Sequence, residues 1–175
     1  MTQTLTEEVR KTIRTIPDFP KKGIQFRDIT PLLVDYAKFK KCIDHFASIT
    51  KGKIDYVISI ESRGFILGSA LTYALGSGFV PIRKKGKLPY KTFQTSYELE
   101  YGTAVVEIHT DSIKKGSNII LIDDVLATGG TMKAAIDLAA NFGVKIAGVY
   151  FLIELSDLNG RARLKGYPVH ALVSY

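Results

Sequence analysis

The run IILIDDVLATGGT at residues 119–131 constrains the fold more than any other part of the chain. Four aliphatic residues lead into two adjacent acids, Asp123 and Asp124, and a short Thr/Gly loop then precedes a helical pattern. Glycines let backbone N–H groups approach a phosphate, and a helix start offers unpaired donors and a partial positive charge. The run therefore predicts a strand, a loop and a helix that bind a phosphorylated sugar. The carboxylates would lie beside ribose hydroxyls or a metal bound to the ligand.

Hydrophobic periodicity predicts alternating strands and helices over most of the chain. A first helix is expected over residues 2–16, an irregular segment over 17–31, and a second helix that Asp35 caps. Strands are then predicted at Tyr56–Ile60, 79–82, Thr103–His109, 118–122 and 146–153, and helices at Gly64–Leu75 and 131–142. Residues 83–102 are expected to be loop-like.

The nearly continuous apolar run at 146–153 is typical of a strand buried on both faces of a parallel sheet. The fold class is therefore α/β, with a mostly parallel central sheet flanked by helices and right-handed crossovers. Ligands of such sheets bind at the carboxyl ends of the strands, where Asp123 and Asp124 fall.

The length and composition favour one globular domain in a reducing compartment. The chain has 175 residues, 46% of them hydrophobic, and no stretch approaches the length of a membrane span. The N-terminal residues lack the apolar centre of a signal peptide. The single cysteine, Cys42, has helical spacing with Phe39 and Phe46, which predicts a core position rather than a nucleophile. We expect a cytoplasmic protein without a membrane partner.

The formal net charge is +7, and its positive charges are dispersed except for one basic cluster. Five basic residues fall within nine positions: Arg83, Lys84, Lys85, Lys87 and Lys91. No recognition helix, zinc-finger spacing or RNA-binding aromatic motif is evident, so a single basic loop fits a polyphosphate better than nucleic acid. A solvated charged loop is the alternative.

The motif at 119–131 differs from the common nucleotide loops. Gly-Lys-Ser/Thr and G-x-G-x-x-G are both absent. The run instead resembles the phosphoribosyl pyrophosphate (PRPP) motif of type I phosphoribosyltransferases. Five further segments are similar to the adenine-specific family within that group, and they extend the resemblance over nearly the whole chain: PDFP and GIQFRD near the start, ESRGF at 61–65, RKKGKLP at 83–89 and YELEYG at 97–102.

The resemblance implies a type I phosphoribosyltransferase fold in one domain, residues 1–175. It implies a hood from about residues 1–34 plus part of 154–175, and a lid loop at about 84–102. The implied reaction joins adenine to PRPP and gives AMP and pyrophosphate. The implied cofactor is Mg²⁺, held mainly by PRPP or pyrophosphate without a direct protein ligand. Water-bridged contacts to Asp123 and Asp124 are allowed. The family is usually dimeric, so a homodimer is implied.

The family's site residues carry over position by position. The 5′-phosphate would be bound by Ala127, Thr128, Gly129, Gly130 and Thr131, and the ribose hydroxyls by Asp123 and Asp124. Pyrophosphate would be bound by Arg63, in a loop that carries a non-proline cis peptide in the family, and by Arg83, Lys84 and Lys87. Adenine would stack on Phe26, be read by backbone groups of Gln25 and Arg27, and be covered by Leu158. The roles of Lys85 and Lys91 stay open.

Two residues are expected to act in the chemistry. Glu100 would manage the purine proton, as general base or as partner to N7, and Arg63 would stabilise the departing pyrophosphate. From residue chemistry alone, Glu100 would be one more exposed glutamate. Two rival functions remain open: a phosphoribosyltransferase for another base, and a PRPP-sensing regulator that binds nucleic acid.

Overall fold

The computed structural model describes residues 4–98 and 103–175. The N-terminal part comprises α1 (Leu5–Thr12), β1 (Arg14–Pro17), β2 (Gln25–Asp28), α2 (Thr30–Val34) and α3 (Tyr36–Ile49). The central part comprises β3 (Tyr56–Ile60), α4 (Gly64–Leu75), β4 (Gly78–Lys84), β5 (Thr92–Glu98) and β6 (Thr103–His109). The last part comprises β7 (Asn118–Leu126), α5 (Gly130–Ala140), β8 (Lys145–Glu154), two 3₁₀ turns (Ser156–Leu158 and Gly160–Leu164) and β9 (Val169–Ser174).

Seven strands form the central sheet in the order β5-β6-β4-β3-β7-β8-β9. The five strands from β4 to β9 in that order are parallel, whereas β6 runs antiparallel to β4 and β5. From β3 the chain moves to β4 on one side, and from β7 it moves to β8 on the other. The boundary between β3 and β7 is therefore the switch point at which α/β sheets open a ligand crevice. The predicted α/β fold class is confirmed.

Helices cover both faces of the sheet, and each face has its own core. One cluster packs α5 against strand residues such as Ile58, Val80 and Phe151. The other packs α1, α3 and α4 against Val57, Ile120 and others. Cys42 lies in the second cluster and is fully buried, as predicted. Burying each large aliphatic side chain contributes about 1.5–3 kcal/mol, so these two clusters hold the strand ends in place.

The N-terminal segment is more regular than predicted. A capping box between Thr4 and Glu7 starts α1, but the helix ends at Thr12 rather than at residue 16. The following residues pair as β1 with β2 in a separate two-stranded sheet, in the register Ile16 to Phe26. This pairing across the chain overrides the local helical pattern, and single-sequence periodicity does not reveal it. Asp35 caps α3 by accepting a hydrogen bond from the N–H of Lys38, as predicted.

Two further boundaries differ from the predictions. Residues 83–102 are not all loop, because β4 continues to Lys84 and Thr92–Glu98 forms β5. Strand β7 does not end at Ile122 but continues through both acids to Leu126, because β8 pairs with it as far as Leu126 and Glu154. Strand β9 and the two 3₁₀ turns were not predicted at all.

Across residues 4–98 and 103–175, no helix has the length and hydrophobicity that crossing a bilayer requires.

Candidate active site

The two acids lie near the carboxyl end of β7, beyond the last residue that pairs with β3. Ser59 of β3 pairs with Ile122, so Asp123 and Asp124 extend past that neighbour. The Oδ1 atom of Asp123 accepts a hydrogen bond from the N–H of Asp124 at 2.9 Å. A Cβ atom on Gly64 would lie 2.5 Å from the same oxygen. The first residue of α4 must therefore be glycine for Asp123 to reach the crevice.

Burial dominates the electrostatics of this pair. Asp124 is only 6% exposed. Desolvation, followed by the charge of Asp124, raises the pKa of Asp123 well above its ordinary value. Desolvation also raises the pKa of Asp124, against an opposing effect of Arg63. Two adjacent carboxylates that are costly to ionise favour any ligand that brings positive charge or hydrogen-bond donors.

Arg63 connects the acids to the N-terminal segment. It follows a cis peptide bond between Glu61 and Ser62, in the loop where the resemblance implies one. Its Nε lies 2.7 Å from Oδ2 of Asp124. This is an ion pair without hydrogen-bond geometry, because Oδ2 accepts no hydrogen bond from the residues that the structure describes. The guanidinium also covers the ring of Phe26, with Cζ 5.0 Å from the ring centroid.

A cleft of about 310 Å³ opens at this end of the sheet. Its walls bring together five of the predicted site residues: Arg63, Lys84, Asp123, Asp124 and Thr131. Glu61, Ser62 and Tyr97 complete its polar lining. The predicted ribose and pyrophosphate residues therefore share one space, with two carboxylates on one wall and two cations near them.

The Thr/Gly loop forms a smaller pocket of about 60 Å³ next to the cleft. Ala127, Thr128, Gly129 and Thr131 line this pocket, and Asp123 and Thr131 belong to both cavities. Gly130 is the first residue of α5, so its N–H lies at the start of the helix. Gly129 has a φ of 82°, which favours glycine. The pocket suits a small anion held by backbone donors and hydroxyl groups.

The basic segment, residues 83–91, is only partly directed at the cleft. Arg83 is engaged elsewhere, since its Nε donates to Oε2 of Glu61 at 2.9 Å and its Nη1 donates to the carbonyl of Lys87 at 3.1 Å. The side chains of Lys84, Lys85 and Lys87 are exposed. Of these four residues, only Lys84 lines the cleft. The structure therefore places Arg83 and Lys87 beside the cleft rather than in the described part of its wall.

The predicted adenine residues lie on strand β2 and on the first 3₁₀ turn. Phe26 is half-buried and meets Phe19 edge-on, with ring centroids 5.1 Å apart. The side chain of Arg27 turns away toward the Tyr175 ring, with Cζ 3.9 Å from its centroid. Leu158 is an exposed large apolar side chain, at 43%. Because Gln25, Phe26 and Arg27 form a strand, their backbone groups are held in a regular array rather than in a loop.

Sequence reasoning missed several residues that shape the site. Glu61 binds Arg83, Glu107 binds the turn of the basic segment, Tyr97 lines the cleft, and Gly160 contacts the Thr/Gly loop. Glu107 gave a weak signal, because it is a lone acid between apolar neighbours in a predicted strand. Nothing local marks Gly160. Glu100, the predicted proton-handling residue, lies outside the described residues.

Comparison with known proteins agrees with this geometry. A family model described as phosphoribosyl transferase domain matches residues 36–170. Adenine phosphoribosyltransferase of Acetivibrio thermocellus is 52% identical over 170 residues, covering 96% of this chain and 99% of the relative. The crystal structure of the enzyme from Thermoanaerobacter pseudethanolicus superposes with a TM-score of 0.94 at 47% identity, covering 98% of this chain and all of the other.

A Saccharomyces cerevisiae adenine phosphoribosyltransferase has also been solved in complex with adenine and an imino-altritol bisphosphate. It is 40% identical, with a TM-score of 0.91, and covers 96% of this chain and 98% of the other. Identity at this level over nearly the full length of each chain excludes a chance likeness of fold. The chain belongs to the adenine phosphoribosyltransferase family.

Proposed function

We propose that the cleft between β3 and β7 is where the protein transfers the 5-phosphoribosyl group from PRPP to adenine, giving AMP and pyrophosphate. The observation that supports this most is the shared space of Arg63, Lys84, Asp123, Asp124 and Thr131. The smaller pocket of the Thr/Gly loop adjoins this cleft through Asp123 and Thr131, so a phosphate pocket, paired carboxylates and cations are contiguous, as phosphate, ribose and pyrophosphate are in PRPP.

The smaller pocket binds the 5′-phosphate in this proposal. The hydroxyls of Thr128 and Thr131 and the backbone N–H groups of the loop donate to the phosphate oxygens. The start of α5 adds a partial positive charge. Neutral donors are sufficient there, so the lysines and arginines remain available for the other end of PRPP.

The acids bind the ribose. Asp123 and Asp124 accept hydrogen bonds from the 2′- and 3′-hydroxyls, which offsets the desolvation of their buried carboxylates. As pyrophosphate leaves C1, positive charge develops on the sugar ring. Two nearby carboxylates stabilise that charge more than they stabilise the neutral ground state, which lowers the barrier.

The pyrophosphate is bound by Arg63, Arg83, Lys84 and Lys87. Arg63 reaches the cleft directly and is also our candidate for stabilising the leaving group. The ion pair with Asp124 and the contact with Phe26 place Arg63 between the sugar and base regions. Arg83 and Lys87 contribute at longer range.

The β1–β2 sheet binds adenine. Phe26 stacks on the purine, and Leu158 covers the opposite face. Strand β2 has β1 as its one partner in a two-stranded sheet of the described chain, which leaves the other edge of β2 unpaired. Backbone N–H and C=O groups of Gln25 and Arg27 on that edge can read the rim of the base. The yeast relative was solved in complex with adenine, which supports adenine as the base.

Mg²⁺ is the proposed cofactor. The described residues contain no group of three or more His, Cys, Asp or Glu side chains that could hold a metal ion. The donor set fits an ion held mainly by PRPP, because the carboxylates of Asp123 and Asp124 line the cleft and carboxylate oxygens bind Mg²⁺ through water. When bound, Mg²⁺ supplies charge that stabilises the departing pyrophosphate.

Glu100 completes the proposed chemistry. N9 of adenine attacks C1 and the purine loses or moves a proton, which Glu100 accepts as general base or holds at N7. Residues 84–102 act as a lid over this step, and residues 1–34 with part of 154–175 form the hood. Strand β5 lies within the lid range, so part of the lid is a strand paired to β6 rather than a free loop.

The proposed assembly is a cytoplasmic homodimer. Ile66 and Tyr73 are seven residues apart on α4 and share a face, and both are exposed, Tyr73 to 91%. Large exposed apolar side chains on one helix face suit an interface between subunits. A single cysteine whose burial raises its pKa to about 12 is consistent with a reducing compartment. We propose no nucleic-acid partner.

The decisive experiment incubates the protein with PRPP, Mg²⁺ and each of adenine, guanine, hypoxanthine, xanthine and orotate. Formation of AMP from adenine, with the other bases at least a hundredfold slower, is the expected result, about what unpaired buried polar groups cost. Faster product from another base would contradict the assignment. Salt-dependent RNA retention without AMP would favour a regulator.

A further inference from the structure

We propose that Glu107 is a positioning residue that fixes the basic segment in a shape suited to pyrophosphate, without binding pyrophosphate itself. The inference rests on the proposed function, because it assumes that residues 83–91 bind the leaving group. It assigns a task to a carboxylate that neither the sequence motifs nor the lining of the cleft reveal.

Glu107 is a buried acid on β6. It is 2% exposed, and its strand neighbours Val106 and Ile108 point into the core on the opposite face. The register places it opposite Arg83 of β4 and Gln94 of β5. The Glu107 side chain thus lies on the face of the sheet from which the basic segment rises.

Neutral donors satisfy this carboxylate. Its Oε1 accepts hydrogen bonds from the backbone N–H groups of Lys87 and Leu88, both at 3.0 Å. Its Oε2 accepts from the Thr92 hydroxyl and the Gln94 amide, both at 3.3 Å. Desolvation alone would raise the pKa of Glu107, but the bonds from the backbone of Leu88 and Lys87 and from Thr92 outweigh it and lower the pKa. The acid is therefore ionised at neutral pH.

A second acid holds the other end of the same segment. Glu61 accepts the Lys84 N–H at 2.7 Å and the Arg83 Nε at 2.9 Å. Arg83 then connects both ends through its bond to the carbonyl of Lys87. The turn from residue 84 to residue 88 is thus fixed by bonds to its backbone at both sides.

Glu107 binds backbone N–H groups of the basic segment rather than its lysine ammonium groups, which suits an anion site. Glu107 binds the N–H of Lys87 and makes no ion pair with the Lys87 ammonium group in the described structure. The exposed lysine side chains of the segment therefore keep their charge for a ligand. Order in the turn before binding reduces the entropy lost when pyrophosphate binds.

The test compares Glu107→Gln and Glu107→Leu with a matched control, Ile108→Val. Gln keeps one acceptor oxygen for the two N–H groups, whereas Leu keeps none. The control removes one methyl group from the core side of the same strand and leaves the contacts of the basic segment unchanged. For each protein, KM for PRPP, KM for adenine and inhibition by pyrophosphate with Mg²⁺ are measured.

We expect Glu107→Leu to raise KM for PRPP and the pyrophosphate inhibition constant about tenfold, equivalent to about 1.4 kcal/mol. KM for adenine should change less than twofold, Gln should lie between Leu and wild type, and Ile108→Val should match wild type. If the negative charge of Glu107 acted only by weakening the attraction of the lysines for pyrophosphate, both variants would bind pyrophosphate more tightly. That result would show the proposal to be wrong. Equal changes in both KM values, or the same change in Ile108→Val, would also overturn it.

Amide exchange tests the wild-type protein directly, should Glu107→Leu fail to fold. The N–H groups of Lys87 and Leu88 should exchange far more slowly than amides of an unstructured chain of the same sequence, and unprotected exchange at both would overturn the proposal. Failure of the proposed function would appear differently, as an absence of AMP formation or of pyrophosphate inhibition in the wild type.

Discussion

Gly160 contacts the Thr/Gly loop so closely that a Cβ atom on it would lie 2.2 Å from the carbonyl oxygen of Ala127. The contact is reciprocal, since a Cβ on Gly129 would lie 2.5 Å from the carbonyl oxygen of Gly160. Arg161 holds the 3₁₀ turn in place with a bidentate pair to Glu154, at 2.7 and 2.8 Å. The phosphate pocket is therefore supported from behind by a segment about 30 residues farther along the chain.

Substitution of Gly160 by alanine should displace the phosphate loop. We expect a loss of about 1–3 kcal/mol in the free energy of unfolding from overpacking, and a KM for PRPP raised more than that for adenine. Gly166→Ala is the matched control. Its positive φ of 93° also makes alanine costly, but nothing lies within 4 Å of its Cβ position. An equal rise in KM for PRPP in the control would contradict the support role.

Removal of Arg63 should make ionisation of the buried Asp124 carboxyl less favourable. Arg63→Ala deletes the cation that opposes desolvation, so the pKa of Asp124 should rise further. The acid limb of the PRPP-binding profile should then move to higher pH, and KM for PRPP should rise roughly tenfold or more, as loss of a bond to a charged group implies. Lys40→Ala removes an equal charge from a surface pair with Asp44 and serves as the control. An unchanged pH profile in Arg63→Ala would count against the coupling.

Neutralisation of Asp123 should stabilise the free protein. The pKa of Asp123 is raised in the folded state, so at pH values above that pKa the ionised carboxylate lowers the stability of the fold. Below the ordinary pKa of 3.8, Asp123 is protonated in both the folded and the unfolded protein, and this cost vanishes. Asp123→Asn should raise Tm by about 2–4 °C at pH 8, the shift that 1 kcal/mol gives at this length. The gain should shrink as pH falls through the raised pKa. Calorimetry between pH 8 and 5 checks both, and a lower Tm at pH 8 would refute the assignment.

Glu100→Gln should separate chemistry from binding. General acid–base assistance contributes about 10²–10⁴ in rate, so kcat should fall by that order while KM for PRPP changes little. Asp124→Asn should do the reverse and mainly weaken PRPP-dependent steps. Steady-state kinetics of both variants test the division of roles. Equal losses of kcat and PRPP affinity in Glu100→Gln would remove Glu100 as the proton-handling group.

A charge on the exposed face of α4 should separate the subunits. Tyr73→Asp is expected to shift the sedimentation mass from dimer to monomer, because a buried unpaired charge is costly at an interface. Tyr90→Asp, at another exposed tyrosine, controls for the substitution itself. A dimer that persists in Tyr73→Asp would place the interface elsewhere.

The sequence predicted those parts of the site that depend on local pattern. The acid pair and the Thr/Gly loop lie on neighbouring residues, so one run of sequence indicates the strand, loop and helix that they form. In the structure, Asp123, Asp124 and Thr131 line the same cleft. The capping of α3 by Asp35 was predictable for the same reason.

Features that depend on distant pairing were not predictable. The β1–β2 pair joins residues 14–17 to 25–28 by long-range hydrogen bonds, while the local pattern favours helix over residues 14–16. Glu107 binds backbone groups about 20 residues away, and Gly160 is required by a close contact with residues 127 and 129. Such requirements arise from tertiary packing and leave no periodic signal in the sequence.

The unpaired edge of β2 has a consequence for how base preference can change. Every residue has a backbone carbonyl and every residue except proline has a backbone N–H, so exchanging the side chain of Gln25 or Arg27 for another leaves the proposed reading groups in place. A base preference that depends on backbone groups is therefore unchanged by most single substitutions. It would change through a proline, or through a shift in the register of β2 against β1, which moves every group on the strand at once.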